Sequence, residues 1–377
     1  MISRRSSPRA AVLVAFLVLL GAGGLACRRR DGAVAPVSPM IGVKIYERAG
    51  SFPELFRDWR SLGINTAFVS AALASNPVFR GLARTNGIAL YIILPTFYNA
   101  EALKADPGLA AITAEGTAAR DEWVEFICPG REDYRARHVE LVKSLVRDCD
   151  PDGISLDFLR LFVFWEKVYP DRDPETLPKT CFCPVCLERF RRETGIRTPD
   201  GLDGTAQRAR WILEHHPGEW TDWRCGLVAS MAEILAGEAR RIKPGIKVNL
   251  HAVPWRREDY GGAVLTTAAQ DLPRIARAVD FIQPMCYHHM VLRTPDWVHA
   301  VAEEFAGRVS TPVVPSIQVG KAYIEKDLPP EEFEAALRAA LQPPSAGVVF
   351  WNWDALDRSP EKKEIVRRLG MTSRSTQ

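Results

Sequence analysis

Three groups of residues have the types and spacing to do chemistry. The first is DGISLDFLR, Asp152–Arg160, an apolar run that opens on Asp-Gly and ends by presenting Asp157, with Arg160 three residues on. A carboxylate at the tip of an apolar strand stands where a ligand can meet it, as nucleophile, acid or base. Arg160 is the residue to hold its charge or contact substrate, whereas Asp152 serves the tight turn before the strand. The second group is spread over the ends of other apolar runs: Tyr46-Glu47, His251 with Trp255, Gln283 with Tyr287, Gln318, and Trp351-Asn352-Trp353-Asp354. Aromatic faces stack on the C–H faces of sugar rings, while acids, amides and imidazoles bond hydroxyls, so this set suits a carbohydrate groove. The third group is CFCPVC, with Cys181, Cys183 and Cys186.

Cleaving a glycosidic bond takes two carboxyl groups. Asp157 is the first. Asp354 and Glu47 rank highest for the second because both sit at predicted strand ends, ahead of Glu258, Asp259 and Glu166 on loops. His251, Trp255, Gln283, Tyr287, Gln318, Trp351 and Trp353 are the expected substrate contacts beside Arg160. Glu47 also has a plain reading, an ion pair with Lys44 or Arg48. The adjacent His288 and His289 point oppositely if the chain is extended, which argues against a shared metal.

The elements that must position these residues follow one rhythm. Eight β-branched or aromatic runs alternate with helical periodicity: 41–47, 65–70, 88–97, 152–159, 246–252, 280–287, 312–319 and 347–353. Between them lie segments such as SFPELFRDWRSLG, with Ser51 as cap, Pro53 in the first turn and Gly63 as stop. Eight strand–helix units predict an α/β fold, a (β/α)8 TIM barrel, over residues 41–370, with chemistry at the C-terminal strand ends. A doubly wound dinucleotide fold would need G-x-G-x-x-G after the first strand, and YERAGSFPEL has none. Residues 161–217 are too long for a plain connection and predict an insert after strand four. Residues 371–377 are expected to form a disordered tail.

The three clustered cysteines leave three readings open, a local disulfide, a structural zinc site completed by a ligand such as Cys225, His215 or His216, or no bond at all. No other cofactor is implied. Cys128 and Cys149 fall on segments read as helix-side and free.

The chain has 377 residues, 47% hydrophobic and 25% charged, with a formal net charge of +3. With that near balance and no basic patch interleaved with aromatics, nothing at chain level suggests a nucleic-acid partner, and none is expected. At the N-terminus, Arg4, Arg5 and Arg9 precede an apolar run and small residues ending at Cys27, the layout of a secretory signal over 1–27. GGLAC resembles a bacterial lipobox, although Leu25 lies two rather than three places before the cysteine. The expectation is export, lipidation of Cys27, and a tether over 28–40 that leaves the barrel on a membrane of the cell envelope.

The motifs carry a resemblance. DGISLDFLR is similar to D-G-I-x-L-D-x-x-R, the fourth-strand motif of glycoside-hydrolase-like barrels of the family 10 type. DFIQPMCYHHM resembles their sixth-strand D-x-I-x-P-M-x-Y, and GVVFWNWD their last strand. CFCPVC resembles a C-x-C-x-x-C segment that some of them carry after strand four. The resemblance runs from Ile41 to Gly370 and implies a polysaccharide or oligosaccharide as partner. Family 18 chitinases are more distantly similar: in their D-x-x-D-x-D-x-E pattern, Asp152 and Asp157 match, but Ser155 and Leu159 replace the remaining Asp and the Glu. Leucine cannot protonate a leaving group, so the chitinase mechanism does not transfer. A glycan-binding barrel without turnover is the alternative reading.

Overall fold

The computed structural model describes residues 39–375, with side chains to Leu369. The signal, Cys27 and nearly all of the tether lie outside the described residues. Eight parallel strands close into a barrel in which each strand pairs with its sequence neighbours and the last pairs with the first. They are β1 (Met40–Ile45), β2 (Thr66–Val69), β3 (Ala89–Pro95), β4 (Gly153–Asp157), β5 (Lys247–Ala252), β6 (Phe281–Cys286), β7 (Ser316–Gln318) and β8 (Gly347–Trp351). The chain is therefore a (β/α)8 barrel, as its alternating periodicity predicts. No described helix is long and apolar enough to cross a membrane.

Apolar packing sits in two layers. Inside the barrel, Phe68, Tyr91, Ile93, Phe281, Val314 and Val349 form a separate cluster. A larger cluster fills the space between strands and helices. Gly153 shows how tight the inner layer is: a Cβ there would lie 2.2 Å from the Tyr91 ring. The Asp-Gly that opens the DGISLDFLR motif is thus a steric requirement, and Asp152 Oδ2 accepts a hydrogen bond from the Leu90 N–H at 2.8 Å. Helix caps follow the predicted chemistry. Ser51 caps the helix Phe52–Ser61 by accepting from the Glu54 N–H, with Pro53 in the first turn.

Two excursions rise on the C-terminal side of the barrel. The expected insert after β4 carries short helices and the helices Pro184–Thr194 and Gly204–His215, then returns through the long helix Pro217–Ile242. The second excursion, residues 96–131 after β3, holds the short helix Ala100–Ala105 and a small antiparallel pair, Arg120–Asp121 with Val124–Glu125. Its pattern has neither period strongly enough to read from sequence. The last helix, Pro360–Ser375, runs past Gly370 into the expected tail. An interior glycine costs a helix about 1 kcal/mol and does not by itself end one.

Register brings the site together. Pro95 pairs with Asp157, and Leu156 with Leu250, so Asp157 and His251 follow on neighbouring strands at the same level. Alternation along a strand puts Ser155 and Asp157 on one face of β4.

Candidate active site

A cavity of about 590 Å³ opens at the C-terminal end of the barrel, within the size range of small-molecule sites. Its charged lining residues are Lys44, Asp157, Arg160 and Glu166. Tyr287 and Trp351, from the ends of β6 and β8, stack face to face with centroids 4.4 Å apart. The β3 excursion adds Tyr98 and Trp123, the insert adds Trp165, and the loop after β7 adds Tyr323.

Asp157 is the best-supported group on the floor. Its Oδ2 lies 3.3 Å from His251 Nδ1, and its Oδ1 accepts from the Phe158 N–H at 2.8 Å. Phe158 has φ of 49°, a left-handed conformation that is costly for a bulky residue and recurs at functional sites. The turn it makes sets its ring on Tyr98, 4.7 Å away. Burial pushes the Asp157 carboxyl upward, but His251, Lys44 and the Phe158 N–H outweigh it and hold the group at about 2. Asp157 is therefore ionised at every ordinary pH.

His251 is fully enclosed and its second nitrogen, Nε2, lies 2.8 Å from Ser155 Oγ. An Nδ1–H donating to Asp157 leaves Nε2 to accept the serine O–H, a tautomer set by the neighbours. Burial and then Lys44 lower the His251 pKa, against Asp157, which favours the neutral ring. Lys44 Nζ stands 3.5 Å from Nδ1, an atom already committed to Asp157, so its good partner is Tyr287 Oη at 3.1 Å. Ser155 is wholly buried beneath this layer and is not among the cavity-lining residues.

Glu166 behaves in the opposite way to Asp157. It sits in a short 3₁₀ turn, Trp165–Lys167, and its Oε2 is shielded from solvent with no hydrogen-bond partner. Burial pushes its carboxyl up to about 7, with Arg160 opposing and Asp157 adding to the rise. Arg160 is 2% exposed. It donates to the backbone carbonyls of Leu161 and Val163 and lies over the rings of Phe126 and Phe158 at 4.7 and 5.4 Å. One carboxyl kept ionised and one kept protonated near neutrality, in the same cavity, is how acid and base roles are divided between two like groups.

Of the residues expected at the site, Tyr46, Asp157, Arg160, Tyr287, Trp351 and Asn352 line the cavity. Asp354 and Glu47 do not. β1 ends at Ile45, leaving Glu47 exposed beyond it, and Asp354 falls in the first turn of the helix Trp353–Asp357. Arg48 pairs with Asp357 at 2.8 Å and Lys44 faces the cavity, so neither takes Glu47 as an ion-pair partner. Trp353 is buried edge-on against Trp59, 5.9 Å away. Gln283 accepts from Asn249 inside the barrel at 3.2 Å. Gln318 accepts from the Met290 N–H and donates to the Gly320 carbonyl. Trp255 is buried against Tyr260. His251 supports Asp157 rather than the cavity wall. His288 and His289 sit in a turn, not a strand, and both reach Glu332 Oε1, at 3.2 and 2.9 Å. Sequence reasoning ranked Glu166 low and passed over Lys44, Tyr98, Trp123 and Tyr323. Only a polar residue inside an apolar run marked Lys44, and nothing local marked the others.

The clustered cysteines have a different fourth neighbour from the three residues expected. None of the seven described cysteines is in a disulfide. The fourth member of the cluster is Cys128, from the β3 excursion, and the sulfurs of Cys128, Cys181, Cys183 and Cys186 lie within 4.8 Å of one another. Cys225 approaches the Leu265 carbonyl instead, His215 bonds the Trp211 carbonyl, and His216 faces Glu219. Cys128 Sγ is 3.3 Å from the sulfurs of both Cys183 and Cys186. That is far longer than the roughly 2.05 Å of a disulfide and near the roughly 3.8 Å edge of a tetrahedron with 2.3 Å zinc–sulfur bonds. The Ile112 N–H points at Cys181 Sγ and the Cys186 N–H at Cys183 Sγ, contacts that favour thiolates. The contacts among the sulfurs draw the Cys183 pKa down and push those of Cys128 and Cys186 up. These four residues fit a metal of the zinc type.

The fold and this cavity define a barrel with two carboxyl groups set in an aromatic mouth. No protein-family model matches the sequence, and no curated protein matches it. Solved structures do. The glycoside hydrolase domain of PgaB (BpsB) from Bordetella bronchiseptica is similar with a TM-score of 0.64 and 12% identity, over 87% of this chain and 98% of that one. A β-galactosidase from Halorubrum lacusprofundi has a TM-score of 0.64 and 13% identity, over 88% of this chain and 57% of that one. Gan42B, a GH42 β-galactosidase from G. stearothermophilus, has 0.63 and 12%, over 89% and 57%. The chain thus spans almost all of the first and little more than half of the two galactosidases. The likeness is one of fold, and these neighbours are glycoside hydrolase barrels.

Proposed function

We propose that this chain is an exported glycoside hydrolase that cleaves a polysaccharide or oligosaccharide, with Asp157 as the ionised nucleophile or base and Glu166 as the general acid. The observation that carries the reading is the pairing of Asp157, at about 2, with Glu166, at about 7, on one cavity. The stacked Tyr287–Trp351 pair and Trp165 supply apolar faces for sugar rings. His251 orients Asp157, and Arg160, attracted to both Glu166 and Asp157, would contact substrate. The test is reducing-end release from a polysaccharide panel by the chain from Arg28 onward, beside Asp157→Asn and Glu166→Gln. Release lost in both variants supports the assignment. Equal release by all three removes both residues from the mechanism, and glycan retention without release leaves a binding protein.

The cysteine cluster is proposed to hold one structural zinc through Cys128, Cys181, Cys183 and Cys186. Bound there, the ion would tie the β3 excursion to the insert, the two segments that wall the cavity. Lipidation at Cys27 and placement on the cell envelope are proposed from the N-terminal residues alone.

A further inference from the structure

The cavity floor carries more positive charge than the two-carboxyl chemistry uses. Lys44 is 1% exposed and comes from the inside of β1. An ammonium group has three N–H donors, and the well-placed acceptor of this one is Tyr287 Oη, since His251 Nδ1 is engaged with Asp157. A buried cation with open donors is costly unless something meets it. Arg160 is the second cation; its hydrogen bonds go to backbone carbonyls, and the carboxyl groups that act on its charge are Glu166 and Asp157. Burial and Lys44 lower the His251 pKa, so the ring is not counted as a third cation. Once Glu166 carries the proton that an acid needs, Lys44 and Arg160 face the single negative charge of Asp157. The floor then has one positive charge in excess, in a site whose reaction develops further positive charge on the sugar ring. A neutral substrate would leave that excess unmatched, and a substrate with one negative charge would cancel it.

From this charge balance we infer that the sugar bound between Asp157 and Glu166 is acidic, a hexuronate whose carboxylate meets Lys44 Nζ. The inference rests on the proposed carbohydrate site and names its substrate class. Recognition would be a charge-assisted hydrogen bond from a preformed donor, with the ring against the Tyr287–Trp351 stack.

Glu166→Gln mimics the protonated acid and is suited to binding measurements. Its tryptophan fluorescence, reported by Trp123, Trp165 and Trp351 on the cavity wall, would be titrated with a uronic-acid oligosaccharide and with the same oligosaccharide after its carboxyl groups are reduced to alcohols. The acidic form should bind about tenfold more tightly or better, and Lys44→Met should bring the two forms to within a factor of about two. Equal binding of the two forms, tighter binding of the reduced form, or binding of neither would overturn the inference. The comparison of the two ligands on one protein stands even if Lys44→Met fails to fold. Hydrolysis confined to neutral glycans would remove the acidic subsite and keep the hydrolase. Tight uronate binding with no release from any glycan would do the reverse.

Discussion

Glu166 can serve as the general acid only by holding a proton near neutrality. Its carboxyl stands at about 7 against an ordinary 4.5 because burial disfavours the charged form. At about 1.36 kcal/mol per pKa unit, that difference is roughly 3 kcal/mol charged against ionising it in the folded chain. Two consequences follow with definite signs. A raised carboxyl pKa means the folded state binds the proton more tightly, so its stabilisation is complete below pH 4.5 and is lost as the pH rises through 7. Glu166→Gln should therefore leave stability unchanged at pH 4 and raise it by up to roughly 3 kcal/mol at pH 8. In catalysis, kcat/KM should be level from about pH 4 to 6 and fall about tenfold per pH unit above 7, because only the protonated acid works. The same variant should cost about 10²- to 10⁴-fold in rate on an ordinary glycoside and much less on an activated aryl glycoside, whose leaving group needs no proton. Denaturant titrations at the two pH values and rate profiles on both substrates make the test. A profile level through pH 9, or equal losses on both substrates, would refute the role of Glu166 as acid.

Asp157→Asn should abolish turnover on both substrate types, since no leaving group replaces a nucleophile or base. The low native pKa of Asp157, about 2 against 3.8, stabilises the fold above pH 3.8 and is lost as pH falls through 2. The variant should therefore lose about 2 kcal/mol at neutral pH, measured by urea unfolding. Metal analysis of the purified chain should find one zinc per molecule. Cys128→Ser should lose it and destabilise the chain by several kcal/mol, on the order of 4; full occupancy in that variant would dismiss the four-sulfur site. Cys27→Ala should abolish incorporation of labelled palmitate in a bacterial host and release the protein from the membrane fraction, and unchanged labelling would count against lipidation there.

Much of the fold was legible because it is written locally. β-Branched and aromatic runs between segments of helical spacing located all eight strands, and the tip of the run at Asp157 is a local feature. Tyr287, Trp351 and Arg160 could be picked out for the same reason: each ends or directly follows a strand whose direction is fixed by the barrel. The second carboxyl was not legible. Glu47 and Asp354 look like strand-end groups in one dimension, but β1 stops at Ile45 and the chain turns into a helix at Trp353. Glu166 enters the cavity only because the insert after β4 folds back over the mouth, and its proton is held by burial, which no local pattern encodes. Cys128 is the same case: 53 residues separate it from Cys181, and only the β3 excursion brings it to the other three sulfurs. The sequence by itself determined the barrel, the strand-end acid and the three-cysteine motif, because periodicity and spacing are properties of neighbouring residues. The tertiary structure decided which acid joins Asp157, which cysteine completes the cluster and where Lys44 points, because those depend on long-range packing and on the solvent it excludes.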